Sequence, residues 1–216
     1  MKNLFNCCKK REIKNVISNL SFQVKNGECF GLLGANGEGK TTSFKCLCKE
    51  IRPDSGYIKI NNIDIFDYSI KEKPIIGYCP QFDSIFEFLT VYENLLYYGR
   101  LKGIIENDLR NVINILLRKL NLEMYSNKLS GQLSGGNKRK LSVGISLICQ
   151  PCIILMDEPS TGMDPYTRKL LLQLLHKAYL NNKKENDNIE KQTPRSILLT
   201  THSIEEAESL CDNIGI

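Results

Sequence analysis

The stretch Cys29-Phe30-Gly31-Leu32-Leu33-Gly34-Ala35-Asn36-Gly37-Glu38-Gly39-Lys40-Thr41-Thr42 is the key to the whole chain. Its first five residues are a short apolar run that reads as a buried strand. Thr42 to Glu50 reads as a helix. Between them, Gly34 to Thr41 matches the phosphate-binding pattern GxxxxGK[ST] and sits where that pattern belongs, after a strand and before a helix. Glycines let the backbone curl so that several N–H groups face a phosphate, and the dipole of the following helix adds attraction for an anion. Lys40 is then placed to reach the β- and γ-phosphates, and the Thr41 hydroxyl to ligate Mg²⁺. By itself this loop implies a nucleoside triphosphate and nothing narrower.

Downstream, Pro53-Asp54-Ser55-Gly56 is a turn signal, and Tyr57–Ile60 and Ile63–Phe66 flank Asn61-Asn62 like a β-hairpin. Ile75 to Cys79 is a further strand, stopped by Pro80. From Val91 to Cys149 the pattern turns helical; Leu109, Val112, Ile113, Leu116, Leu117 and Leu120 follow the spacing of one buried helix face. Strands return at Ile153–Met156 and Ile197–Leu199, separated by a helix carrying Leu170, Leu171, Leu174, Leu175 and Ala178. The reading is an α/β core over 1–84 and 151–216, interrupted by an all-helical stretch over 85–150. No internal repeat is present. Asn181 to Pro194, rich in Asn, Lys and Glu, reads as a solvated flexible loop.

Composition sets the outer limits. The 216 residues are 42% hydrophobic and 25% charged, ordinary for a chain that buries a core. No apolar run approaches the roughly 18–20 residues needed to cross a bilayer. A net charge of +5 is weak grounds for nucleic acid. The nine cysteines do not form the paired spacing of a zinc site. Cys149 and Cys152 have a redox-type CxxC spacing, but buried reduced thiols are the favoured account. The N-terminus lacks the apolar core of a secretory leader, so the cytosol is the default compartment.

Two more elements carry chemistry. Ile153-Ile154-Leu155-Met156 runs into Asp157-Glu158, and a buried strand ending in two carboxylates is costly without a cation or polar partner. Asp157 suits Mg²⁺ through water, and Glu158 suits polarising an attacking water. Leu133-Ser134-Gly135-Gly136-Asn137 places an N-cap serine before a helix whose first amides are left open, a second anion site. Lys138-Arg139-Lys140 behind it reads as a solvated helix face, with nucleic-acid contact as the lesser alternative.

Together these motifs resemble the nucleotide-binding domain of ABC (ATP-binding cassette) proteins, over essentially the whole chain. The resemblance makes Gly34 to Thr41 Walker A, Asp157-Glu158 the end of Walker B, and Leu133 to Gly136 the signature. Gln81 corresponds to the Q-loop, Ser160-Thr161-Gly162-Met163-Asp164 to the D-loop, and Thr201-His202 to the switch histidine. The wording Asn137-Lys138-Arg139-Lys140 is similar to subfamily A, the group that includes lipid exporters. The implied fold is a P-loop NTPase (RecA-like) core with an N-terminal antiparallel β portion and an all-helical insert.

The resemblance also implies roles. ATP would be bound by Gly34, Ala35, Asn36, Gly37, Glu38, Gly39, Lys40, Thr41 and Thr42, and across a dimer by Ser134, Gly135, Gly136 and Asp164. Phe5 is the nearest aromatic for stacking on adenine, at a long spacing. Mg²⁺ falls to Thr41, Gln81 and Asp157. Glu158 is the catalytic base, His202 steadies the γ-phosphate and water, and Gln81 links the metal to the helical insert. Two cassettes would close head to tail on two ATP molecules, beneath transmembrane partner domains on the cytoplasmic face of a membrane. No nucleic-acid partner is implied, and membrane contact comes only through those domains. Glu38 stands where the family has a small residue and adds a negative charge near phosphate, which weakens ATP binding unless the side chain points outward. The chain stops at a strand start where the family continues, which reads as a C-terminal truncation. Two alternatives remain open: a translation- or DNA-associated ABC ATPase, and a regulatory cassette in which ATP binding alone is the switch. The short gap between Lys40 and Ser134 leaves no room for the long coiled coil of the DNA-repair type.

Overall fold

The computed structural model describes residues 15–35, 37–67, 75–175 and 195–216. Five parallel strands form one sheet: β1 Cys29–Leu33, β4 Ile76–Cys79, β5 Ile153–Asp157, β6 Ser196–Thr201 and β7 Asn213–Gly215, in the spatial order β4-β5-β6-β1-β7. The inner strands read as unbroken apolar runs because both faces are covered, as parallel sheets require. Alternate side chains divide between two cores. Ile154, Met156, Ile197, Leu199 and Cys29 face the larger one, while Leu155, Leu198 and Phe30 pack with Phe44 of α1 (Lys40–Leu47) on the other.

The α1 helix begins two residues before the expected Thr42, because Gly39 takes a left-handed φ of 90° and caps it directly. It ends at Leu47, before Lys49, whose φ is 64°. The expected hairpin is present as β2 (Lys59–Ile60) and β3 (Ile63–Asp64). Asn61 and Asn62 make its two-residue turn, both at positive φ, which Asn tolerates and a hairpin twist favours.

Between β4 and β5 lie α2 (Val91–Leu101), α3 (Glu106–Lys119) and α4 (Gly135–Leu147). A reciprocal cap starts α2: the Glu93 N–H donates to Thr90 Oγ1 at 3.1 Å and the Thr90 N–H donates to Glu93 Oε2 at 2.8 Å. The apolar face of α3 buries Leu109, Ile113, Leu116 and Leu117, with Leu120 just beyond its end. Each such side chain contributes about 1.5–3 kcal/mol. Beyond β5 come α5 (Pro165–Leu175) and α6 (Ile204–Leu210). None of the described helices is long and apolar enough to cross a membrane. Phe5 and the Asn181–Pro194 segment lie outside the described residues.

The seat of α4 on β4 positions the functional motifs relative to each other, since β4 leads to Gln81 and α4 begins just after Ser134. It depends on Gly77, where a Cβ would lie 2.2 Å from the Ser146 carbonyl oxygen and 2.7 Å from Pro151 Cγ. Gly77→Ala should therefore lower stability by about 1–3 kcal/mol in a urea titration. An unchanged midpoint would mean that α4 can back away from the sheet at no cost.

Candidate functional site

Register brings the motifs together. Cys79 pairs with Met156, Asp157 with Thr200, and Leu33 with Thr201, so β4, β5, β6 and β1 end along one edge. The segments leaving that edge carry Gln81, Glu158, His202 and the Gly34–Thr41 loop. Ligands of open parallel sheets bind in the crevice outside such strand ends.

In the loop, Gly37 and Gly39 both sit at left-handed φ, and the Gly34 N–H donates to the Thr201 carbonyl at 3.4 Å. Lys40 is buried and curls back, its Nζ donating to the carbonyls of Gly34 at 2.5 Å and Ala35 at 2.8 Å. Thr41 and Thr42 occupy the first turn of α1. Asn36 lies outside the described residues. Glu38 does not point outward. Its Oε2 accepts the Ala35 N–H at 2.7 Å, and a Cβ on Gly34 would touch that same oxygen. The reason is local: a loop that aims N–H groups inward attracts the nearest anion, and here that anion is its own side chain.

Glu158 is buried and its backbone is strained, with φ at 45°, a conformation that costs a non-glycine residue about 1–3 kcal/mol. It begins a turn rather than a helix: the Thr161 N–H donates to the Glu158 carbonyl at 3.2 Å. Its N–H donates to Thr200 Oγ1 at 3.0 Å. Its Oε2 accepts from Thr161 Oγ1 at 2.9 Å and Gln81 Nε2 at 3.5 Å, and lies 3.5 Å from His202 Nδ1. Gln81, Glu158 and His202 are thus brought together.

Asp157 is almost wholly buried. Its Oδ1 accepts the Thr200 hydroxyl at 2.6 Å, whereas Oδ2 is buried without a partner. That orphaned oxygen fits a hydrated Mg²⁺. Among the described residues no group of three or more His, Cys, Asp or Glu side chains is placed to hold a metal ion.

Arg139 joins these pieces. The basic run is not a solvated face: Arg139 is 3% exposed and Lys140 7%. The Arg139 guanidinium donates to the carbonyls of Pro80 (2.5 Å), Gln81 (3.2 Å), Asp157 (2.9 Å), Glu158 (3.0 Å) and Pro159 (2.8 Å), and to Asp83 Oδ1 (3.3 Å). Burial lowers the Lys140 pKa, with Asp164 opposing the shift. Burial raises that of Tyr78, reinforced by nearby Asp157. Only Lys138 reaches solvent, pairing with Glu87 at 2.7 Å.

Ser134 caps α4, its hydroxyl accepting the Asn137 N–H at 3.4 Å, with Gly135 and Gly136 as the first helical residues. Among the described residues no hydrogen bond or ion pair joins Ser134, Gly135 or Gly136 to the 34–41 loop. Asp164 Oδ1 accepts the Thr167 N–H at the start of α5. Sequence reasoning missed Arg139, Thr200 and the hydroxyl of Thr161. Of these, only Thr161 carried a local signal, a hydroxyl three residues after Glu158.

A family model described as ABC transporter matches residues 17–161. Among curated relatives, the phospholipid-transporting ATPase ABCA3 of Homo sapiens is 44% identical over 93% of this chain and 11% of its own length. The glucosylceramide transporter ABCA12 of Mus musculus is 41% identical over 93% of this chain and 7% of its own length. The chain therefore spans only about a tenth of these relatives. Among solved structures, an ATP-binding subunit of an ABC transporter superposes with a TM-score of 0.76 at 28% identity, covering 94% of this chain and 80% of that one. The ATP-binding cassette MJ0796, solved as a dimer in a post-hydrolysis state with ADP and Pi, gives 0.75 at 24% identity, covering 90% and 83%.

The Glu38 contact has a measurable consequence. Glu38→Ala should tighten binding of a fluorescent ATP analogue about 3–10-fold, the worth of one exposed charge-assisted contact. Equal or weaker binding would show that the carboxylate does not compete with phosphate.

Proposed function

This chain belongs to the ABC transporter family, and on that footing we propose that it binds and hydrolyses ATP to power transmembrane transport, closing head to tail with a second cassette. The observation that carries this reading is the meeting of Gln81, Glu158 and His202 on one carboxylate oxygen, beside the phosphate loop.

ATP enters on the loop. Lys40 leaves its two carbonyl partners for the β- and γ-phosphates, Glu38 swings off the Ala35 amide, and the loop amides take the phosphate oxygens. Thr41, Gln81 and, through water, Asp157 would hold Mg²⁺, which would supply neutralisation of the phosphate charge. Glu158 accepts the proton of the attacking water, and His202 steadies that water and the γ-phosphate. Gln81 shares its carboxylate partner with His202, so a change at the phosphate reaches the segment leading into α2. Phe82 and Phe88 stand 81% and 93% exposed on that segment, a pair of apolar side chains that supports docking of a transmembrane partner there.

Ser134 and the open amides of Gly135 and Gly136 serve the γ-phosphate of the opposite copy, and Asp164 lies at the same junction. ATP therefore holds two copies together, and loss of its γ-phosphate lets them part. The names of the two curated relatives support a lipid as cargo, and membership of a transporter family supports a place on the cytoplasmic face of a membrane.

Glu158→Gln keeps shape and removes the base, so phosphate release should fall at least about 100-fold while ATP still binds; near-wild-type turnover sinks the assignment. The same variant with ATP should elute as a dimer on size exclusion. Ser134→Arg should abolish both dimer and turnover yet retain nucleotide binding, and unchanged turnover would count against a shared site.

A further inference from the structure

We propose that Thr161 is the positioning residue that aims Glu158, a role that rests on Glu158 being the base. Backbone bonds already hold Glu158 on both sides: its N–H donates to Thr200, and its carbonyl accepts from Thr161 N–H and from Arg139 Nη2 at 3.0 Å. None of these fixes where the carboxylate points, because the side chain still has its own torsions to choose.

Among the described residues three groups reach that carboxylate, and all reach the same oxygen. Gln81 and His202 stand at 3.5 Å, the outer limit for a hydrogen bond, whereas the Thr161 hydroxyl donates to Oε2 at 2.9 Å. The short contact sets the orientation and the long ones follow it. Among the described residues Oε1 receives no hydrogen bond, so it is the oxygen left to take a proton from water. Thr161 can do this because the turn that forces φ positive at Glu158 also returns the chain, three residues on, to face it. Thr161 itself is exposed, so its hydroxyl holds Glu158 without being part of a packed core.

The test uses the purified chain and phosphate release. Thr161→Val keeps the shape and removes the donor; Thr161→Ser keeps the donor. Thr161→Val should lower kcat about 10-fold, with KM for ATP and the thermal midpoint unchanged, since a misaimed base costs rate rather than binding. Thr161→Ser should recover at least half of the wild-type kcat. Adding Thr161→Val to Glu158→Gln should cause no further loss, because Thr161 acts through Glu158.

Equal kcat in the valine and serine variants overturns the proposal, as does a loss by Thr161→Val that multiplies with that of Glu158→Gln. If Glu158→Gln alone turns over normally, the base assignment falls and this proposal with it. If Glu158→Gln is inactive and Thr161→Val is normal, only the role of Thr161 falls.

Discussion

The guanidinium of Arg139 is the point on which the arrangement of this site depends. Burying a cation is costly unless dipoles or charges compensate, and here five carbonyl oxygens and one carboxylate do so. Those acceptors come from two separate loops, Pro80–Asp83 after β4 and Asp157–Pro159 at the end of β5. One rigid planar group therefore fixes the spacing between Gln81 and Glu158. A lysine, with three donors on a flexible stem, cannot satisfy the same set. Because Arg139 belongs to α4, the helix that Ser134 caps is tied to the same two loops.

Around that pin the site is held in a poised state. Lys40 and Glu38 are both turned onto the phosphate loop's own backbone, cation on carbonyls and carboxylate on an N–H. Part of the loop's polar character is thus engaged internally, and in the proposed function ATP would exchange those contacts for its own. On the other side, Glu158 sits in a strained backbone conformation that bonds to Thr200, Thr161 and Arg139 over-determine. Strain held in this way is common where a side chain must be presented rather than packed. Thr200 serves both carboxylates, donating to Asp157 Oδ1 and accepting from the Glu158 amide.

Much of this is legible in the residues themselves. The Gly34–Thr41 loop, the apolar runs that form β1, β5 and β6, the α3 face and the serine cap of α4 follow from patterns within a few residues of each other. So does the Asn61-Asn62 hairpin turn. Element ends are less legible, as at α1, where the left-handed Gly39 starts the helix early and Lys49 closes it. The basic run at 138–140 misleads because charge in a sequence suggests solvent, whereas the carbonyls that compensate Arg139 lie up to 59 residues away. Glu38 misleads for a related reason: its partner is near in sequence, but the direction of the Ala35 N–H depends on the curl of the loop.

The sequence alone determined which motifs this chain carries, a glycine-rich loop between strand and helix, an acidic pair at a strand end and a capped glycine helix, because each rests on local spacing and residue type. Only the tertiary structure decided which of these groups meet and in what orientation. Parallel register along β4-β5-β6-β1 aligns the strand ends, and buried polar bonds from Arg139, Thr161 and Thr200 aim the side chains. The bonds of Arg139 and Thr200 join residues 18 to 59 apart in the chain, so no local pattern could reveal them; that of Thr161 spans three residues, but its aim depends on the turn at Glu158.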